Sequence, residues 1–231
     1  MFERITKNRI WPALWRCFTV CLIYLGLPLL AWGTNDLHGF LSNPVRMGFC
    51  VVVIASALFS MWLVYITPPH PVEEHRFDLN RWHLYMFASI FVLSAFGDRR
   101  GILAWTENLA LRWVGLGIYL IGTGIWIWTN LTWINHLRRE AERAVENPVL
   151  LYEGPFHWIR HPTLLILAIH CLGFALMFRA WVGLFLMIPL IIGILNRINI
   201  TENIFAEKSK KDWHLRRHAP KKIIQSLDCS R

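Results

Sequence analysis

The sequence predicts an all-α, polytopic integral membrane protein with about six transmembrane helices and a cytoplasmic pocket beside a C-terminal helical hairpin. Three observations predict the class. The chain is 55% hydrophobic, above the ~45–50% apolar content usual for soluble domains. Its mean hydropathy is positive, +0.38. Its apolar residues gather in blocks of roughly 20, the length a helix needs to cross a bilayer core of ~30 Å.

Six apolar segments follow in order, at about 13–33, 46–67, 82–97, 113–134, 164–178 and 181–198. The first is too long for a cleavable signal peptide, ends in bulky residues and lacks a small-residue cleavage site, so a spanning helix is expected. After the second, "TPPHPVEEH" at 67–75 predicts a rigid proline-rich loop. The third and fifth are short and need not reach both interfaces. The fourth carries "GLGIYLIGTGIWIW" at 115–128, whose glycines allow a neighbouring helix to approach closely. No strand precedes them and a third glycine is missing, so they form no dinucleotide fingerprint. The charged stretch "NHLRREAERAVENP" at 135–148 reads as a cytoplasmic helical extension of that span. Arg179 separates the last two segments. An arginine at the bilayer centre costs several kcal/mol, so it is expected at the tip of a tight hairpin. The tail at 201–227 mixes apolar and basic residues and reads as a surface helix, with Ile204, Phe205, Trp213 and Leu215 dipping into the membrane. The chain is divided at about residue 111, into N-terminal spans, 1–111, and a membrane core with a basic tail, 112–231.

The net charge of +9 invites a nucleic-acid partner. In a membrane protein the simpler reading is that basic residues collect on the cytoplasmic side and meet anionic lipid. Of the 24 Lys and Arg, only Arg46, Arg99, Arg100, Arg112 and Arg179 fall on the far side of a six-span arrangement. That split predicts cytoplasmic N- and C-termini. The five cysteines form no CxxC pair, which argues against zinc or a disulfide framework. His157 and His161, like His214 and His218, have a spacing that can serve a metal on one helix face. Pro162 follows His161 at once and no HExxH motif appears, so no metal is expected. His170 lies within the fifth segment and reads as a core residue. Asn130-Leu131-Thr132 fits the glycosylation pattern but lies inside a span.

The chemistry concentrates in "LYEGPFHWIRHPTLL", residues 151–165, directly against a membrane-grade apolar run. Pro162 suits a first helical turn, where its missing N–H costs nothing. The free N–H groups of that turn favour an anion, and Arg160 adds a cation whose fork matches a carboxylate. Gly154-Pro155-Phe156 predicts a turn whose backbone can approach a ligand closely. The hairpin then returns Arg197 and Glu202 to the same side, placing Glu202 beside His161. A cation, a carboxylate, an imidazole and open amides at one interface would suit a small zwitterion.

These residues resemble the isoprenylcysteine carboxyl methyltransferase and phospholipid methyltransferase superfamily of membrane enzymes. The resemblance covers about 112–224. It rests on the charged stretch, "LLYEGPFHWIRHP", the hairpin, "NRINITE" and a basic tail ending near Pro220. It implies S-adenosylmethionine as cofactor, held by backbone at Leu150, Leu151 and Gly154 and by the Pro155-Phe156 turn. It also implies contacts from Arg160, His161 and Glu202, with Pro162 opening the next helix. The chain departs from the family pattern in several places. Phe156 stands for the usual tyrosine, and Leu164 and Ile166 stand where a tyrosine and a glycine are usual. Thr201-Glu202 replaces paired glutamates, and "KSKKDWHL" replaces the aromatic tail.

The expected function is therefore methyl transfer to a lipid or lipidated acceptor reached from the bilayer. A prenylcysteine carboxylate, a phospholipid amine and a small thiol all remain open. Such a reaction needs positioning more than acid–base chemistry. Arg160 and Arg197 are the candidate catalytic residues, holding the cofactor carboxylate or an acidic acceptor. Two other readings stand beside it. One is a non-catalytic membrane protein on the same scaffold that binds lipid or a protein partner. The other is a membrane NADPH-dependent reductase, whose second nucleotide would need more room than these loops offer.

Overall fold

The structure, a computed structural model, describes residues 2–67, 82–143, 153–159 and 161–209. Among them lie nine α-helices and a single isolated bridge, with no strand. Every one of the six apolar segments folds as helix. Helix α1 (Phe2–Cys21) passes through a π-helical turn, Leu22–Gly26, into α2 (Leu27–Trp32). The reason for the wide turn is Pro28. It cannot bond the Tyr24 carbonyl, and its ring would strike that group in a regular helix. The π turn, closed by the Leu27 N–H on the Leu22 carbonyl, relieves the crowding. A short α3 (Leu37–Leu41) leads to α4 (Pro44–Ile66), with Asn43 as N-cap and Pro44 in the first turn.

Then come α5 (Trp82–Arg100), α6 (Leu109–Arg143), the four-residue α7 (Pro155–Trp158), α8 (Pro162–Met177) and α9 (Trp181–Ser209). Among the described residues, four stretches are long and apolar enough to cross a membrane: Arg9–Trp32, Pro44–Ile66, Leu109–Arg139 and Trp181–Ile200. Pro162–Met177 is a shorter apolar helix, as the length of the fifth segment predicts. Outward faces carry large apolar side chains such as Leu58, Trp62, Ile121, Phe185, Ile188 and Ile192. A soluble monomer rarely shows such continuous apolar surface; in lipid it is the solvated face.

Lipid offers helices no hydrophobic reward for meeting, so close packing and buried polar bonds must hold them. Helix α8 supplies the packing against α6. Gly115 and Gly173 face each other so tightly that a Cβ on Gly173 would lie 2.7 Å from the Gly115 carbonyl oxygen. Gly122 meets His170 in the same way, whereas Gly117 and Gly124 face open space. Two of the four glycines thus serve the crossing. Phe91, Phe174 and Phe178 stack beside it, with ring centroids 3.9 and 4.2 Å apart. His170 is buried, lies 3.2 Å from Thr123 Oγ1 and packs its ring on Tyr119. It is a core residue, as its sequence setting suggests.

The polar bonds gather at one end of the bundle. Asp98, at the end of α5, is fully enclosed and receives three arginines. Arg112 donates at 2.8 and 2.9 Å, Arg46 at 3.1 Å and Arg179 at 2.6 Å. Arg112 also donates to Glu107 and to the Met177 carbonyl. The Arg112 hydrogen bond holds the Glu107 carboxyl below its ordinary pKa. Arg179 occupies the turn between α8 and α9 with φ +49°, at the hairpin tip where the sequence places it. There Trp181 N–H and Trp105 N–H bind the Leu103 and Arg179 carbonyls.

The opposite end is capped differently. Arg9 donates to the Thr67 and Tyr65 carbonyls at 2.7 and 3.2 Å, and Arg138 to Ile66 at 3.1 Å. Cations thereby satisfy the last carbonyls of α4. With 35 residues, α6 is about 52 Å long at 1.5 Å per residue, well beyond the ~30 Å hydrocarbon core. Its charged end projects as a helical extension through Arg143; positions 144–148 lie outside the described residues, as does the loop at 68–75. Helix α9 runs unbroken to Ser209. The last apolar segment, read to about 198, and the first part of the tail helix expected over 201–227 form one continuous helix. The tail beyond 209 lies outside the described residues.

Candidate functional site

Glu153 to Ile159 lies against the projecting end of α6. Gly154 sets the geometry. Its φ of 60° and ψ of −134° belong to a region that only glycine enters readily. A Cβ there would also lie 2.6 Å from Thr132 Oγ1 on α6. The close approach expected of this glycine is thus made to the protein's own helix. Pro155 is buried and starts α7, with Phe156 and His157 following. The Phe156 ring faces Trp133 at 6.5 Å. Glu153 accepts two bonds from Arg139, one of them Nη1 to Oε1 at 2.9 Å and the other Nη2 to Oε2.

Together these residues form an open cleft of about 490 Å³ lined by Trp128, Thr132, Asn135, Arg139, Glu153 and Gly154. Its volume falls within the ~300–1,000 Å³ typical of small-molecule sites. It offers an indole face, a hydroxyl, a carboxamide and charges of both signs. The Thr132 hydroxyl already donates to the Trp128 carbonyl at 2.9 Å and retains acceptor capacity.

His161 stands at the N-cap position of α8 without a side-chain cap, and Pro162 occupies the first turn. That is the helix start that the Arg-His-Pro triplet implies. The α8 and α9 helices form the expected hairpin. From Pro162 to Met177 and from Trp181 to Arg197 each helix climbs about 23–24 Å, which returns Arg197 to the level of Pro162. Glu202 lies about 7 Å farther along the α9 axis by the same rise. Arg197 is half-buried. The Glu202 side chain lies outside the described residues, as do Leu150, Leu151 and Arg160. Gly154, Pro155 and Phe156 therefore meet α6, while His161, Pro162 and Arg197 gather by helix geometry at the same end of the bundle.

The sequence reading missed the α6 wall. Trp128, Thr132, Asn135 and Arg139 are spaced by four, three and four, one helical face, and they grow more polar toward the motif. That gradient was visible in the chain and marks which face of the span turns toward the site. The His157 and His161 pair is split between α7 and the start of α8, so it does not share one helix face.

Residues 112–209 match the family model described as phospholipid methyltransferase. The match opens at Arg112 on the buried ion cluster and closes at Ser209, the last residue of α9. None of the curated proteins and none of the solved structures matches the chain. Cleft, turn and hairpin all lie inside the matched segment, and in that segment the chain is similar to the phospholipid methyltransferases.

Proposed function

We propose that the chain transfers a methyl group from S-adenosylmethionine to an acceptor reached from the bilayer: a phospholipid amine, a prenylcysteine carboxylate or a small thiol. The observation that carries the reading is the placement, at one end of the bundle and inside the family segment, of the Gly154 turn, the start of α8 and the returning end of α9. The donor set fits a zwitterionic cofactor: charges of both signs, unsubstituted backbone at Gly154 and a helix N-terminus free of a side-chain cap. When bound, the cofactor supplies an activated methyl on a sulfonium, which an acceptor lone pair takes in line as the carbon–sulfur bond breaks.

In this reading the chain's own residues bind and orient. Arg160 holds the cofactor carboxylate, and Arg197 is a second cation for that carboxylate or for an acidic acceptor. Backbone at Leu150, Leu151 and Gly154 and the Pro155-Phe156 turn line the cofactor. His161 packs against it, Pro162 fixes the helix start, and Glu202 faces the amino group or ribose hydroxyls. A carboxylate or thiolate acceptor needs no general base; an amine must lose a proton in the course of transfer.

Titration calorimetry of the detergent-purified protein with S-adenosylmethionine and S-adenosylhomocysteine tests the reading. Saturable binding of both, weakened more than tenfold by Arg160→Ala and left intact by Leu165→Ala, is expected, since a charge-assisted contact contributes roughly 1.5–3 kcal/mol. No binding at millimolar concentration would overturn it. The departures at Phe156, Leu164, Ile166 and Thr201 favour the second reading in that event, a non-catalytic membrane protein that binds lipid or a protein partner.

A further inference from the structure

Three contacts tie the start of the motif segment to a single helix. Gly154 seats its backbone on Thr132, Phe156 faces Trp133, and Glu153 takes two bonds from Arg139. All three partners lie on α6. That helix is itself fixed, because Gly115 crosses Gly173 of α8 and Arg112 is locked on Asp98. At its other end the segment runs into α8 through Pro162. The segment carrying Arg160 is therefore strung between two helices that are packed on each other. Of the three ties, the glycine contact and the aromatic pair are short-range and fix only Gly154 and Phe156. The ion pair joins the outermost point of the segment to α6, seven residues beyond Thr132.

We infer that Arg139 is a positioning residue: through Glu153 it clamps the start of the motif segment to α6, and so sets where the end of the segment at His161 presents itself to a ligand. It acts through Glu153 and touches no reacting atom. The clamp is exposed on both sides, 42% for Arg139 and 57% for Glu153, so it contributes modestly and can be opened without unfolding the bundle. The effect on affinity rests on the methyl-transfer reading; the effect on the segment does not.

The test exploits a property of charge reversal. Exchanging the two residues keeps the clamp but inverts the charge that position 139 would offer a ligand directly. Four forms are compared in detergent: wild type, Arg139→Glu, Glu153→Arg and the double exchange. Hydrogen exchange is read over 153–162, with 98–112 as a control for the intact bundle. The affinity for S-adenosylhomocysteine is read on the same samples. Each single variant is expected to speed exchange over 153–162 and to weaken affinity by about fivefold, the scale of one exposed ion pair. The double exchange is expected to restore both. If it restores neither, the pair does not hold the segment. If it restores exchange but not affinity, Arg139 meets the ligand itself and the positioning role is wrong. A wild type that fails to bind S-adenosylhomocysteine removes the methyl-transfer reading, while the exchange measurements still decide the clamp.

Discussion

Gly154 is constrained twice, by its own backbone angles and by the helix it rests on. Gly154→Ala should lower stability by about 1–3 kcal/mol, the usual cost of forcing a side chain into a sparsely populated backbone region. Adding Thr132→Ala should recover only part of the loss, because it clears the contact and leaves φ unchanged. Thermal unfolding of the three forms in one detergent checks both statements. Asp98 is the residue on which most depends at the other end. Asp98→Asn leaves Arg46, Arg112 and Arg179 around a neutral amide. Removing one partner from a buried ionic group costs about 3–5 kcal/mol, so the variant should show a much lower thermal midpoint than wild type. Glu107 adds a pH dependence. Its folded pKa is held below the ordinary 4.5, chiefly by the Arg112 hydrogen bond. A depressed carboxyl pKa stabilises the fold above the ordinary value, and the gain fades as pH falls through the folded value. Wild type should therefore exceed Glu107→Gln in thermal midpoint by a constant margin above the ordinary carboxyl value, and the margin should shrink as pH falls below it. Equal margins throughout would show that the carboxylate charge contributes nothing.

At the scale of elements, the crossing of α6 and α8 is the decisive contact. Gly173→Ala drives a methyl group into backbone atoms of α6 and should destabilise by about 1–3 kcal/mol. Gly117→Ala, two residues along from Gly115 but facing open space, should be neutral or mildly stabilising through helix propensity. Detergent unfolding midpoints separate the two. The glycine-rich motif announced this crossing, but not which glycines serve it, since that depends on the rotation of α6 against a partner helix far along the chain, which Gly115 meets at Gly173 and Gly122 at His170. The same rotation decides which face of α6 meets Gly154, and for that reason Thr132 and Arg139 escaped a reading centred on the motif. The π turn before Pro28 was hidden because hydropathy does not register a change in helical pitch. The unbroken run of α9 was hidden because hydropathy falls at Ile200 while helix-compatible residues continue to Ser209.

At the scale of the molecule, the six apolar segments and the Arg179 tip were legible because bilayer thickness and the cost of a charge in lipid constrain any chain. The partners of the far-side arginines were not, since Arg46 and Arg179 reach Asp98 across 52 and 81 positions. Their pairing bears on orientation. Arg46, Arg112 and Arg179 are bound to Asp98 and Glu107, whereas Arg9 and Arg138 cap carbonyls at the opposite end. On the split of basic residues in the sequence, we propose that the N- and C-termini are cytoplasmic. In a cysteine-free background, single cysteines at positions 36 and 225 should then react with impermeant reagent from opposite sides of a sealed vesicle. Labelling of both from one side would refute the topology.

The ion cluster around Asp98 also imposes an order on biosynthesis. When Asp98 leaves the ribosome, Arg46 has already been made and Arg112 follows 14 positions behind. Arg179 is 81 positions away, a wait of about 4–16 s at ~5–20 residues per second. Throughout that interval α5 holds a carboxylate at the membrane edge with its final cation still untranslated. The turn between α8 and α9 thus arrives as a keystone. Only when the hairpin enters the membrane does the carboxylate acquire its last counter-charge, and the same event delivers the helix start and the returning helix between which the candidate site is built. In translation order, the last counter-charge and the two helices that flank the candidate site arrive together.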